Sequence, residues 1–136
     1  MTTKFGTIAA AVLATIVLAN AAIPASAQDF GTPASQEPPY DAQLLRLSEI
    51  LGAIQYLRRL CDSDEGSLWR DQMQAIIDAE APNPIRRARI VDRFNLGFEG
   101  FRSVYRTCTP AAIDAIGRYM EEGTTITRDI TVRYGE

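Results

Sequence analysis

"DAQLLRLSEILGAIQYLRRLC", residues 41–61, carries more apolar side chains than one face of a helix needs. Leu44, Leu47, Ile50, Leu51, Ile54, Leu57 and Cys61 recur at helical spacing and make one stripe. Leu45, Gly52, Tyr56 and Leu60 make a second line beside it. An amphipathic helix builds a core with a single stripe. Two stripes put this helix at the centre of the fold, touching neighbours on both sides, or leave one stripe exposed for a partner. On the second reading the candidate partner surface is Leu45, Tyr56 and Leu60.

Working outward, three further helices are expected. Asp41 supplies an N-cap for the first, which runs to about Leu60. Ser67 caps a second that carries Leu68, Trp69, Met73, Ile76 and Ile77 and is stopped by "EAPNP", residues 80–84. Asn83 followed by Pro84 starts a third, from about Ile85 to Thr107, with Val91, Phe94, Phe98, Phe101 and Tyr105 on its apolar face. Gly97 and Gly100 inside it each cost around 1 kcal/mol against alanine, which predicts close helix packing or a bend there. Thr109-Pro110 opens a fourth by the same cap-then-proline logic. The tail "TTITRDITVRYGE", residues 124–136, alternates like a strand among threonines. Its Ile126, Ile130 and Tyr134 also continue the helical register of Ile116, Tyr119 and Met120. A lone strand lacks a partner, so the tail is expected to be helical with an irregularity at Gly123. Four helices with short connections predict an all-α, up-down-up-down bundle over residues 41–136.

The chain opens with Lys4, an apolar run from Phe5 to Ala19, and Ala25-Ser26-Ala27 after Pro24. That order is a secretory signal, with cleavage expected after Ala27 and export to the periplasm. Asn20 and Pro24 interrupt the run too early for a membrane-spanning helix. Residues 28–40 are Pro-rich and polar and read as a flexible leader. Lys4, the one lysine, leaves with the signal, so 13 arginines face 17 acids at a formal charge of −4. Mild acidity argues against a general grip on nucleic acid.

Cys61 and Cys108 both survive cleavage, and two thiols in an oxidising compartment admit one intramolecular pairing. With no histidine and two cysteines, a structural zinc set is not available. The acidic run after Cys61 fails as a calcium loop, because counting from Asp62 puts Gly66 at position five and Met73 at twelve. No base is present to activate a thiolate. In an up-down-up-down bundle, helices one and three end at the same pole, where Cys61 and Cys108 lie. A disulfide staple is therefore expected, with no metal and no cofactor.

"YLRRLC" (56–61), "LWRDQMQAIIDAE" (68–80), "RFNLGFEGFRSVYRTCT" (93–109) and "TRDITVRYG" (127–135) resemble a family of small secreted alphaproteobacterial proteins known as a domain of unknown function. The resemblance implies a Gram-negative periplasm, agrees with the Cys61–Cys108 pairing, and favours a helical tail. It implies no reaction.

Three function classes follow. Catalysis has the least behind it, since the nucleophile and phosphate-loop signatures are missing. Glu49, Asp71 and Asp92 are the remaining carboxylate candidates for glycoside hydrolysis, although acids on helix faces are usually just solvated. An anion site is offered by Arg86, Arg89 and Arg93, which lie within about 60° on a helical wheel and suit bidentate contacts to carboxylate or phosphate. Its ligand would be peptidoglycan or a lipid headgroup, and the bland alternative is a solvated face paired with local acids. The favoured expectation is a non-catalytic interaction or structural module of the cell envelope, with an envelope protein as partner.

Overall fold

Proline at the first helical position and an oxygen-bearing residue before it start two helices where the sequence places them. Asn83 accepts a hydrogen bond from the Arg86 backbone and Thr109 from that of Ala112, each satisfying an amide that the helix leaves free. The computed structural model describes residues 37–61 and 64–135, and the expected signal peptide (1–27) and residues 28–36 of the leader lie outside the described residues. Four helices follow in order: α1 Asp41–Leu60, α2 Leu68–Glu80, α3 Pro84–Val104 and α4 Pro110–Tyr134. There is no strand among the described residues.

The other two expected caps do not form. Tyr40, not Asp41, occupies the N-cap position of α1, and Asp41 turns its carboxylate to Arg86 instead. Ser67 stands at the N-cap of α2, but its hydroxyl donates to the Asp71 carboxylate rather than accepting from backbone. The last residues of the expected leader are held by the domain: Tyr40 bonds Glu80 and packs against the Tyr134 ring, and Glu37 pairs with Arg89.

α1 is the central helix. It packs on α3, α4 and α2 in decreasing order of extent, while α2 and α4 do not approach each other's backbones, nor do α3 and α4. The first stripe is buried throughout: Leu44, Leu47, Ile50, Leu51, Ile54 and Leu57 are each no more than 7% exposed. α1 and α3 run the same way, with Asp41 against Arg86 at one pole and Cys61 bonded to Cys108 at the other. Antiparallel to them run α2 and α4, as the Tyr40–Glu80 and Arg46–Glu122 contacts show. Up-down-up-down is the topology.

The α1–α3 crossing depends on two glycines. A methyl group added at Gly52 would overlap the Phe94 carbonyl, and one at Gly97 would overlap the Glu49 carbonyl. Each helix therefore rests its backbone on the other's glycine, which explains a residue that costs helix propensity. Gly100, by contrast, faces open space. Gly52→Ala gains about 1 kcal/mol of propensity but must push two backbones apart, a strain of about 3 kcal/mol. The expected net loss is about 2 kcal/mol by urea unfolding; Gly100→Ala, with nothing to meet, should stabilise.

On α3 the buried line is Arg86, Ile90, Phe94 and Gly97, so Ile90 rather than Val91 enters the core, and Val91 is exposed. The helix also ends at Val104, short of Thr107. α4 is continuous through Gly123, with no break there. Gly123 is buried against Ile50 and Leu47 of α1. Packing on α1 holds the threonine-rich segment helical against its strand-like pattern.

Candidate functional site

The second line of α1 is spent inside the molecule. Gly52 is at the α1–α3 crossing, Leu45 packs against the lower core, and the Tyr56 ring meets Phe98 edge-on while its hydroxyl donates to the Tyr105 carbonyl. Leu60 is half-buried beside Tyr56 and Phe98. The three residues of the candidate partner surface, Leu45, Tyr56 and Leu60, are thus half-buried, with Tyr56 and Leu60 beside Phe98 of α3.

The arginine trio divides: Arg86 is taken up by the fold, while the side chains of Arg89 and Arg93 stay 40% and 49% exposed. Arg86 is buried and donates from Nε to Asp41 at 2.6 Å and from Nη2 to Glu80 at 2.7 Å. Burial opposes its charge, and the hydrogen bonds to the two carboxylates outweigh that, so its pKa is raised. Burial and the Glu80 carboxylate together raise the Tyr40 phenol as well. Arg89 pairs with Glu37 and reaches Asp41 at 3.4 Å, and Arg93 lies 3.6 Å from Glu49. Acids from α1, α2 and the leader thus neutralise the face. It locks the pole where α1 and α3 begin and α2 ends.

The carboxylate candidates are not brought together as a catalytic pair. Glu49 bonds Arg46 at 2.9 Å, Asp71 accepts from Ser67, and Asp92 is exposed on α3. Among the described residues no cluster of acids, cysteines or histidines could hold a metal ion, and no helix is long and apolar enough to cross a membrane. Glu65 of the acidic run accepts hydrogen bonds from Arg58 and from the Trp69 indole. Buried Gln55 fastens the same turn, donating to the Gly66 carbonyl and accepting from the Arg70 amide.

What the central position of α1 leaves behind is two gaps beside α4. The α3–α4 gap is bridged by the Phe101–Tyr119 ring contact, and Arg46 of α1 hydrogen-bonds Glu122 at 2.7 Å and sits over the Tyr119 ring, leaving a hollow of about 360 Å³. That hydrogen bond holds the Glu122 carboxyl below its ordinary pKa. The α2–α4 gap stays open. It forms a cleft with two adjoining lobes of about 470 and 440 Å³ that share Leu47, Leu51, Trp69, Thr127 and Thr131. α1 supplies its floor, Trp69 and Ile76 one wall, and Met120, Ile130 and Val132 part of the other.

The threonines of α4 make this wall small and apolar. Thr124, Thr127 and Thr131 each donate the hydroxyl to the carbonyl four residues back, at 2.8–2.9 Å. The hydroxyls are thereby consumed, and the methyl is the free end of each side chain. Of the charged residues lining the cleft, Glu80 is bound to Arg86 and Tyr40, whereas Arg128 has no partner among the described residues. Sequence reasoning missed this site. The available signal was a run of threonines in place of bulky side chains on a helix that must pack.

No curated protein and no solved structure matches the chain. The family model described as "Protein of unknown function (DUF2385)" matches residues 39–134, from just before α1 to the last residue of α4. The chain belongs to that family.

Proposed function

We propose that the protein is an exported, non-catalytic binding module of the Gram-negative cell envelope, and that its working surface is the α2–α4 cleft, which receives an elongated apolar group. The observation that carries this reading is the cleft itself: an open apolar channel on a stapled scaffold, with lobe volumes in the range of small-ligand sites. Large apolar side chains at its edges, including Met120 and Val132, are exposed to solvent. The signal-like N-terminus and the disulfide support export. Here the working surface is the cleft, since the two surfaces named from the sequence are engaged within the fold.

Nile red, a neutral apolar dye, tests the cleft. Wild-type protein purified from the periplasm should take it up saturably, and Thr127→Phe, which fills both lobes, should reduce uptake at least tenfold with helicity unchanged. Uptake that ignores this substitution, or no saturable uptake by wild type, overturns the reading. If Thr127→Phe unfolds, Thr131→Leu serves the same comparison.

A further inference from the structure

We infer that the occupant of the α2–α4 cleft is a single long-chain carboxylate, its alkyl chain lying between Trp69 and the threonine wall and its headgroup paired with Arg128. The inference rests on the cleft being the binding surface and adds the chemistry of its ligand. Three observations carry it. The first is size. α2 has 13 residues and so spans about 20 Å, which sets the length of its wall. A docked helix about 10 Å across would need about 1,600 Å³ over that length, more than the lobes of 470 and 440 Å³ offer together. An extended alkyl chain is narrow enough to lie along the floor.

The second observation is the lining. Leu47, Leu51, Trp69 and Met120 are apolar, and Thr127 and Thr131 have their hydroxyls tied to backbone. These six side chains therefore offer an alkyl chain contact without leaving their own hydroxyls unsatisfied. The third is charge. Arg128 lines the lobe that also holds Trp69 and has neither hydrogen bond nor ion pair among the described residues. The other charged liner, Glu80, is already committed and would repel an acidic headgroup placed beside it. A planar carboxylate matches the guanidinium bidentately. The ligand is thus oriented, with its head at Arg128 and its tail toward Trp69 and Ile76.

Trp69 is the chain's one tryptophan, so its fluorescence reads this cleft alone. Titrating the mature protein with terminally brominated dodecanoate should quench Trp69 saturably. The carboxylate should bind at least tenfold tighter than brominated dodecanol. Arg128→Gln should lower dodecanoate affinity about tenfold and leave dodecanol unchanged, a factor typical of one charge-assisted contact. Arg128 is exposed and unpartnered, so this variant retains the fold. Equal binding of acid and alcohol, or an Arg128→Gln variant that binds dodecanoate as wild type does, overturns the inference while Nile red uptake still upholds the cleft. Tighter binding of dodecanoyl lysophosphatidylglycerol than of dodecanoate also overturns it, in favour of a phospholipid headgroup. Absence of saturable quenching by any of these ligands, together with absence of Nile red uptake, removes both readings.

Discussion

Replacing Arg86 with methionine should cost about 4 kcal/mol of folding stability, measured by chemical unfolding of the otherwise intact protein. Arg86 and Asp41 are both nearly inaccessible, at 6% and 5% exposure, and Glu80 closes the other side. Removing the guanidinium leaves the buried Asp41 carboxylate with only the longer 3.4 Å contact to Arg89, and most of its desolvation then goes uncompensated. The companion experiment separates the pair from its geometry. Asp41→Asn combined with Arg86→Met removes the buried pair and should recover part of the loss, with Glu80 still held by the Tyr40 hydroxyl. If the single variant unfolds within 1 kcal/mol of wild type, the network does not hold the pole together. The contact is also why this arginine is lost to any ligand.

The Cys61→Ser/Cys108→Ser variant should lose about 4 kcal/mol, the chain-entropy value for a closed loop of this length. Cys61 and Cys108 are separated by 47 residues, a loop that contains all of α2 and α3. The bond ties the end of α1 to the segment that joins α3 to α4, at the pole opposite Arg86. Small domains are stable by about 5–15 kcal/mol in total, so this one bond is a large share. Thiol titration of unreduced, denatured protein should find no free thiol. An unchanged unfolding midpoint for the variant would show that helix packing alone holds the pole. Its helices should persist below the midpoint, since the core clusters around Leu47 and Leu57 are built mainly from buried aliphatic and aromatic side chains.

The two losses act at opposite ends of the same parallel pair. Between them lies the glycine crossing, where steric fit sets the distance and the Arg93–Glu49 contact of 3.6 Å lies alongside. α1 and α3 are thus fixed at three levels, whereas α2 and α4 make no backbone approach to each other. The cleft sits between those two.

Local chemistry made much of this legible in advance. Asn83-Pro84 and Thr109-Pro110 announce helix starts through their own side chains and a fixed φ, and the structure has both. The stripe from Leu44 to Leu57 is visible because 3.6 residues per turn is a property of the backbone. The disulfide followed from combining that reading with up-down connectivity. Tertiary structure alone decided the rest, because periodicity says that a face is apolar and not what will cover it. α3 took the second line of α1 once two glycines let the backbones meet, and Asp41 left its cap for Arg86, a residue 45 positions away. Val91 and Ile90 are neighbours of similar character, so only the angle at which α3 docks chose Ile90. The threonines of α4 read as strand by local preference, and packing against α1 overrode them. The cleft was the least visible feature in the sequence. It is a space between two helices that each pack on a third, and the small threonines that line it signal a gap only once the neighbouring helix is in place.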